Sequence, residues 1–146
     1  MKYICLVHHE EGKLAALSQD ELDALVGECL AWAEELAKNG HHVLSAGLQG
    51  ARTATSLRSR NGRMSVTDGP FAETKEILAG FTILEARDLN EAIQLVSRFP
   101  ATHPGRLEVR PILESLEAAS EALDQRIAVA WRRHNDPQSS LVKFFP

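Results

Sequence analysis

Asp68, Glu73, Lys75 and Glu76 crowd into one short stretch around Gly69–Pro70, a loop dense in charge. Gly69 reaches backbone angles closed to other residues, and Pro70 fixes its own φ and lacks a backbone donor. The turn between them therefore pins its neighbours in place. A carboxylate such as Asp68, at the end of a strand and the start of a rigid turn, suits a general base if partial burial brings its pKa toward neutrality. Lys75 suits an anionic substrate group, Glu73 could orient that group or take a proton, and Phe71 is the one large apolar side chain in the loop. Histidine is the usual proton carrier near neutral pH. His8–His9 and His41–His42 are adjacent pairs near strand ends. Neighbours in a strand point to opposite faces, so each pair offers one side chain to a given site. His8 shares the parity of Ile4 and Leu6. The catalytic candidates are thus Asp68 as base and His8 as shuttle. The substrate-binding candidates are Phe71, Glu73, Lys75, Glu108 and Arg110.

Each candidate has a plainer alternative. Asp68 at the first position of a turn often accepts a hydrogen bond from the turn itself. Glu73, Lys75 and Glu76 make sense as solvated ion pairs, each worth little at a surface. Phe71 reads more simply as a plug in the core than as a stacking platform. No metal is expected. His8, His9, Glu10, Glu11, His41 and His42 include no His-x-x-x-His spacing and no cysteine pair, and the adjacent pairs do not converge. There is no Gly-rich phosphate loop and no Gly-x-Ser-x-Gly elbow, so no cofactor is expected. Cys5 and Cys29 fall on apolar positions without an activating neighbour and read as reduced, buried thiols.

The chain has 146 residues, enough to bury a core without staples, and a net charge of −4. That balance argues against nucleic acid, even though Arg52, Arg58, Arg60 and Arg63 cluster. Those arginines read as charged strand edges that resist aggregation. No apolar run is long enough for a membrane span, and Met1 leads straight into a strand, so a cytoplasmic protein is expected.

The elements that must position the candidates follow from patterning. Residues 3–7 are a continuous apolar run, a strand buried on both faces. Ser18–Gln19–Asp20–Glu21 is a capping box. Leu22, Leu25, Val26, Cys29, Ala33 and Leu36 then recur at helical spacing, and Asn39–Gly40 stops a helix over residues 19–38. Residues 43–47 are a second strand. Strands at 52–59 and 63–67 flank Asn61–Gly62, a two-residue hairpin signal. Residues 80–85 are a fifth strand, and Asp88 opens a second helix with Ala92, Leu95, Val96 and Phe99 inward. Residues 106–113 are a sixth strand, with Leu107 and Val109 alternating against Glu108 and Arg110.

The order is β-α-β-β-β-β-α-β, an α+β, ferredoxin-like split βαβ sandwich with an added hairpin. Residues 1–113 form this domain. Residues 114–146 add a third amphipathic helix, through Leu116, Leu123 and Ile127, and an apolar tail, Leu141–Pro146, that packs on the domain or on a partner. Two helices cover one sheet face only, and the first strand is apolar on both. A second copy is the simplest cover for the other face, with a partly polar cavity beside Glu108 and Arg110.

Asp68–Gly69–Pro70–Phe71–Ala72–Glu73–Thr74–Lys75–Glu76, with Ala79–Gly80–Phe81 after it, resembles the signature of the YCII-related, or DGPF, family. Residues 1–7 and 107–111 resemble that family's first and last strands. The resemblance implies a ferredoxin-like domain that pairs into a dimeric α/β barrel. It implies proton-transfer chemistry on a small organic molecule without a cofactor: isomerisation, elimination or oxidation. Members of the wider family carry a His–Asp pair in a cleft. Asp68 heads the matching motif, whereas no histidine matches locally, and His8 is assigned as its partner from strand parity alone. The alternative is a non-catalytic ligand-binding or regulatory accessory module associated with alternative sigma factors, with a protein partner at the C-terminal helix and tail.

Overall fold

The computed structural model describes residues 1–100, 104–113, 125–127 and 129–130. The chain divides into two compact units, Met1–Pro111 and Ile112–Pro146. The first unit runs β1 (Lys2–Glu10), α1 (Glu11–Ala15), α2 (Gln19–Lys38), β2 (His42–Gly47), a 3-10 turn (Ala51–Thr53), β3 (Thr55–Arg60), β4 (Arg63–Asp68), β5 (Glu76–Glu85), α3 (Leu89–Val96) and β6 (Gly105–Pro111). Four strands form an antiparallel sheet in the order β2-β5-β1-β6, and β3 and β4 form a separate hairpin. With α2 joining β1 to β2 and α3 joining β5 to β6, this is the ferredoxin-like α+β arrangement. In the second unit seven residues are described, and five of them, 125–127 and 129–130, are helical. The remainder of the expected third helix and the apolar tail lie outside the described residues.

Local chemistry sets the element ends. Ser18 Oγ accepts from Glu21 N at 3.3 Å while Glu21 Oε2 accepts from Ser18 N at 2.7 Å, so the capping box closes in both directions. That bond also holds the Glu21 carboxyl below its ordinary pKa. Asp88 caps α3 through Glu91 N at 2.9 Å. Asn61 and Gly62 both take positive φ, 50° and 72°, the geometry a two-residue hairpin requires.

The core lies between the sheet and α2 and α3. Tyr3, Cys5 and Val7 face Trp32 and Leu36 from α2 and Ala92 and Val96 from α3. Leu107 and Val109 of β6 pack on the same side. The α2 stripe differs from the expected one. Leu25, Trp32 and Leu36 are buried, whereas Val26 is 50% exposed. Cys29 is half-buried rather than buried. The helix carries a second regular apolar row, Leu22–Val26–Leu30, alongside the buried one, and periodicity alone does not choose between two rows.

Cys5 is fully buried, and burial pushes its thiol up from 9.0 to about 11. In the unfolded chain this thiol ionises near 9.0, so between pH 9 and 11 the unfolded state sheds a proton that the folded state keeps. This contribution to stability is complete below pH 9 and is lost as pH rises toward 11. The loss is on the order of 2–3 kcal/mol. Comparing urea unfolding of the wild type and Cys5→Ala at pH 8 and pH 10.5 checks this. The wild type should weaken more than the variant, and equal slopes would refute the assignment.

Candidate functional site

The open face of the sheet is built row by row from the strand register. Ile4 pairs with Ile83 and Arg110, and Leu6 pairs with Phe81 and Glu108. On the outer side, Ile83 meets Leu44 and Phe81 meets Ala46. Directly paired residues share a face. The result is an apolar surface edged by β6 charges, on the side away from α2 and α3. Within Met1–Pro111 no helix covers it. Leu44 and Leu78 are 50% and 39% exposed, and Ile4, Leu6, Phe81 and Ile83 are half-buried.

At one end of this face the β1–β5 ladder slips. Val7 pairs with Gly80 and His8 with Leu78, leaving Ala79 as an extra residue on β5. Bulges of this kind re-aim neighbouring groups. Here the Ala79 carbonyl accepts from Leu48 N at 2.7 Å, which ties the β2–β3 connection to the sheet end. Glu11 Oε1 holds the same connection through Ala51 N at 3.2 Å. At the hairpin base Gly69 N donates to Ala54 O at 2.7 Å, and Ser56 Oγ donates to Gly69 O at 2.7 Å. Thr74 Oγ1 donates to Glu76 O at 2.6 Å.

These anchors surround a cleft of about 640 Å³. Its walls come from the sheet end (His8, Glu76, Leu78), the β2–β3 connection (Leu48 to Ala51, and Thr53), the hairpin base (Thr55, Ser56) and the turn (Pro70, Phe71, Thr74). The size falls within the range of about 300–1,000 Å³ usual for small-molecule sites. His8 and Glu76 are the ionisable members of this lining. Arg106 Nε lies 3.2 Å from Glu76 Oε1. His8 Nε2 is buried and lies 4.0 Å from Glu108 Oε2, and Glu108 also meets Arg110 Nε at 3.7 Å.

The expected site residues therefore separate. His8 and Phe71 line the cleft together, and Glu108 stands beside His8. Phe71 is not a core plug. It is 89% exposed, because Gly69–Pro70 turns the chain outward before it can return to the sheet. Asp68 is exposed at the hairpin base, pairs with Thr55 in the ladder and is not part of the cleft lining. Among the described residues no donor reaches its carboxylate, so the expected turn hydrogen bond is not made. Glu73 is exposed. Lys75 lies 3.5 Å from Glu10, which also meets Lys13 at 2.9 Å. The Lys13 hydrogen bond, with the charges of Lys13 and Lys75, holds the Glu10 carboxyl below its ordinary value. Lys75 and Arg110 thus sit on carboxylates of their own chain.

Sequence reasoning missed the β2–β3 wall and the early start of β5. Gly80 read as a strand beginning, whereas it lies within the strand at a point of close approach. A Cβ there would come 2.7 Å from the Ala46 carbonyl oxygen. Among the described residues no group of three His, Cys, Asp or Glu is placed to hold a metal ion, and no helix is long and apolar enough to cross a membrane.

A four-stranded ferredoxin-like sheet with one helix-covered face, one open apolar face and a cleft at the sheet end defines a small α+β domain class. Residues 1–116 match the model of the YCII-related domain, and the chain belongs to that family. It is also 32% identical over 114 residues to a curated uncharacterized protein of Rhizobium meliloti (strain 1021), covering 77% of this chain and 92% of the relative.

Proposed function

We propose that the cleft binds a small organic molecule and that His8 exchanges a proton with it, in a homodimer formed by stacking the open sheet faces. The observation that carries the reading is His8 itself: an imidazole in the wall of a 640 Å³ cleft, with Glu108 4.0 Å from its Nε2. An imidazole lining the cleft can accept a proton from a bound molecule and return it. Isomerisation, elimination and cofactor-free oxidation all need such a group. Asp68 stands outside the lining, and proton transfer is therefore assigned to His8 rather than to Asp68.

The test is a fragment screen by NMR followed by turnover assays on the compounds that bind. Resonances of residues 48–56 and 70–78 should shift on binding. His8→Asn should retain binding and lose turnover by about 10²–10⁴-fold, the usual contribution of a positioned acid–base group. Asp68→Asn should change turnover little. Turnover that survives His8→Asn would overturn the catalytic assignment. Binding with no turnover of any compound would make the site a sensor rather than an active site.

The dimer follows from the open face. Exposed apolar patches of this extent mark interaction surfaces. An isologous partner covers the face with an identical one. Phe81→Asp places a charge at the patch centre and should convert a dimer to a monomer by light scattering. A wild-type protein of single-subunit mass would refute the stacked arrangement.

A further inference from the structure

We infer that the molecule taken by the cleft is uncharged, planar and largely apolar, a ring system with one hydrogen-bonding group, held by stacking on Phe71 rather than by charge. The inference rests on the small-molecule reading of the cleft and names the class of that molecule. It follows from where the polar groups of the wall are already committed. An anion enclosed in a cleft needs N–H donors or cations aimed at it, because a charge removed from water without them is costly. The backbone donors of the β2–β3 connection bond within the protein. Leu48 N donates to Ala79 O, Ala51 N to Glu11 Oε1, Thr53 N to Gly50 O at 2.9 Å and Ala54 N to Ala51 O at 3.0 Å. The hydroxyls turn inward as well. Thr53 Oγ1 donates to Gly50 O at 2.9 Å, and Ser56 and Thr74 donate to the carbonyls of Gly69 and Glu76.

The charged side chains around the cleft are matched among themselves. Lys75 meets Glu10, Arg106 meets Glu76 and Arg110 meets Glu108. A carboxylate or an ammonium ligand would have to break one of these pairs to find a partner. What the wall offers instead is apolar surface from Leu48, Pro70, Phe71 and Leu78, with two neutral polar side chains, Gln49 and Thr55. Phe71 is the decisive member. Its ring lines the cleft and is 89% exposed, so both its apolar area and its face are open to a ligand. Gly69, at φ 91°, and Pro70 hold the backbone that presents it. Aromatic rings prefer an offset stack with another ring, which buries more of a flat partner than of a puckered one. A cleft of 640 Å³ has room for a fused ring system. The single polar group of such a molecule then points to the imidazole of His8.

The experiment is an NMR titration of the full chain with four matched probes at neutral pH: naphthol, naphthoate, naphthylmethylamine and decahydronaphthol. They share one size and differ in charge or flatness. Naphthol should shift the resonances of residues 48–56 and 70–78 and bind about tenfold or more tightly than each of the others. Phe71→Ala should weaken naphthol by roughly tenfold to a hundredfold. Phe71→Leu keeps an apolar side chain without a ring face, and should remove the preference for naphthol over decahydronaphthol. Phe71→Trp should retain it. Phe71 is exposed, so these variants keep the fold. Tightest binding by naphthoate or naphthylmethylamine would overturn the uncharged class, and decahydronaphthol binding as well as naphthol would overturn the stacking. In each of those cases the small-molecule reading of the cleft stands. Silence from all four probes would overturn the inference too, and the small-molecule reading falls with it only if the wider fragment screen also finds nothing.

Discussion

Trp32→Ala should lower the unfolding free energy by about 3–5 kcal/mol, the cost of deleting a large buried aromatic side chain. Trp32 is 6% exposed and is the point where α2 meets the α3 region. Its Nε1 donates to the Leu95 carbonyl at 3.0 Å. Its ring meets Phe99 edge-on, with centroids 5.0 Å apart and planes at 82°. Both partners belong to the α3 region, 63 residues away for Leu95, so the truncation separates α2 from α3 rather than only hollowing one helix face. A small domain has about 5–15 kcal/mol in total. The variant should therefore unfold at a much lower urea concentration, measured by circular dichroism with an unchanged slope. Trp32→Phe keeps most of the ring and loses the donor, and should cost about 1–2 kcal/mol. A Trp32→Ala loss below 1 kcal/mol would mean that α3 docks on the sheet without α2.

The contrast between Trp32 and Val26 shows where the sequence is legible. Signals carried by a few adjacent residues read correctly: the Ser18–Glu21 box, the Asp88 cap, the Asn61–Gly62 turn and the alternation of Leu107 and Val109 with Glu108 and Arg110. Each is decided within one turn or one strand. The choice of buried row on α2 is decided by α3 and the sheet, and both rows of the helix meet the same periodic criterion. The cleft follows the same logic. The Asp68–Phe71 turn is visible as a motif, and the parity of His8 follows from β1 alone. The partner walls at residues 48–56 arrive through the Ala79 bulge and its bond to Leu48, a consequence of how β1 and β5 pair. The pairing of Lys75 with Glu10 likewise depends on the ends of β1 and β5 lying side by side.

Gly105→Ala should cost about 2–4 kcal/mol and displace His8, joining the stability of the sheet to the chemistry of the cleft. Gly105 begins β6 and pairs with His9. A Cβ there would overlap the His8 carbonyl oxygen and come 2.7 Å from His9 Cα and 2.8 Å from the His8 carbonyl carbon. All of these are backbone atoms, so no rotamer change relieves the overlap and β1 must part from β6. Overpacking of this kind costs about 1–3 kcal/mol, and each ladder hydrogen bond lost adds about 0.5–1.5 kcal/mol. The separation falls where β6 holds Glu108 4.0 Å from His8 Nε2. The His8 imidazole resonances seen by NMR should therefore move in Gly105→Ala. Gly27→Ala is the matched control. A Cβ on Gly27 meets nothing within 4 Å, and the residue lies inside α2. Replacing a helix-interior glycine by alanine there should stabilise by about 1 kcal/mol and leave the His8 resonances unchanged. One chemical change, a single methyl group, thus has opposite signs at two positions, because one glycine lies inside a helix with open space around it and the other lies where two strands touch. If Gly105→Ala matched the wild type in both stability and His8 resonances, β6 would not hold the wall of the cleft.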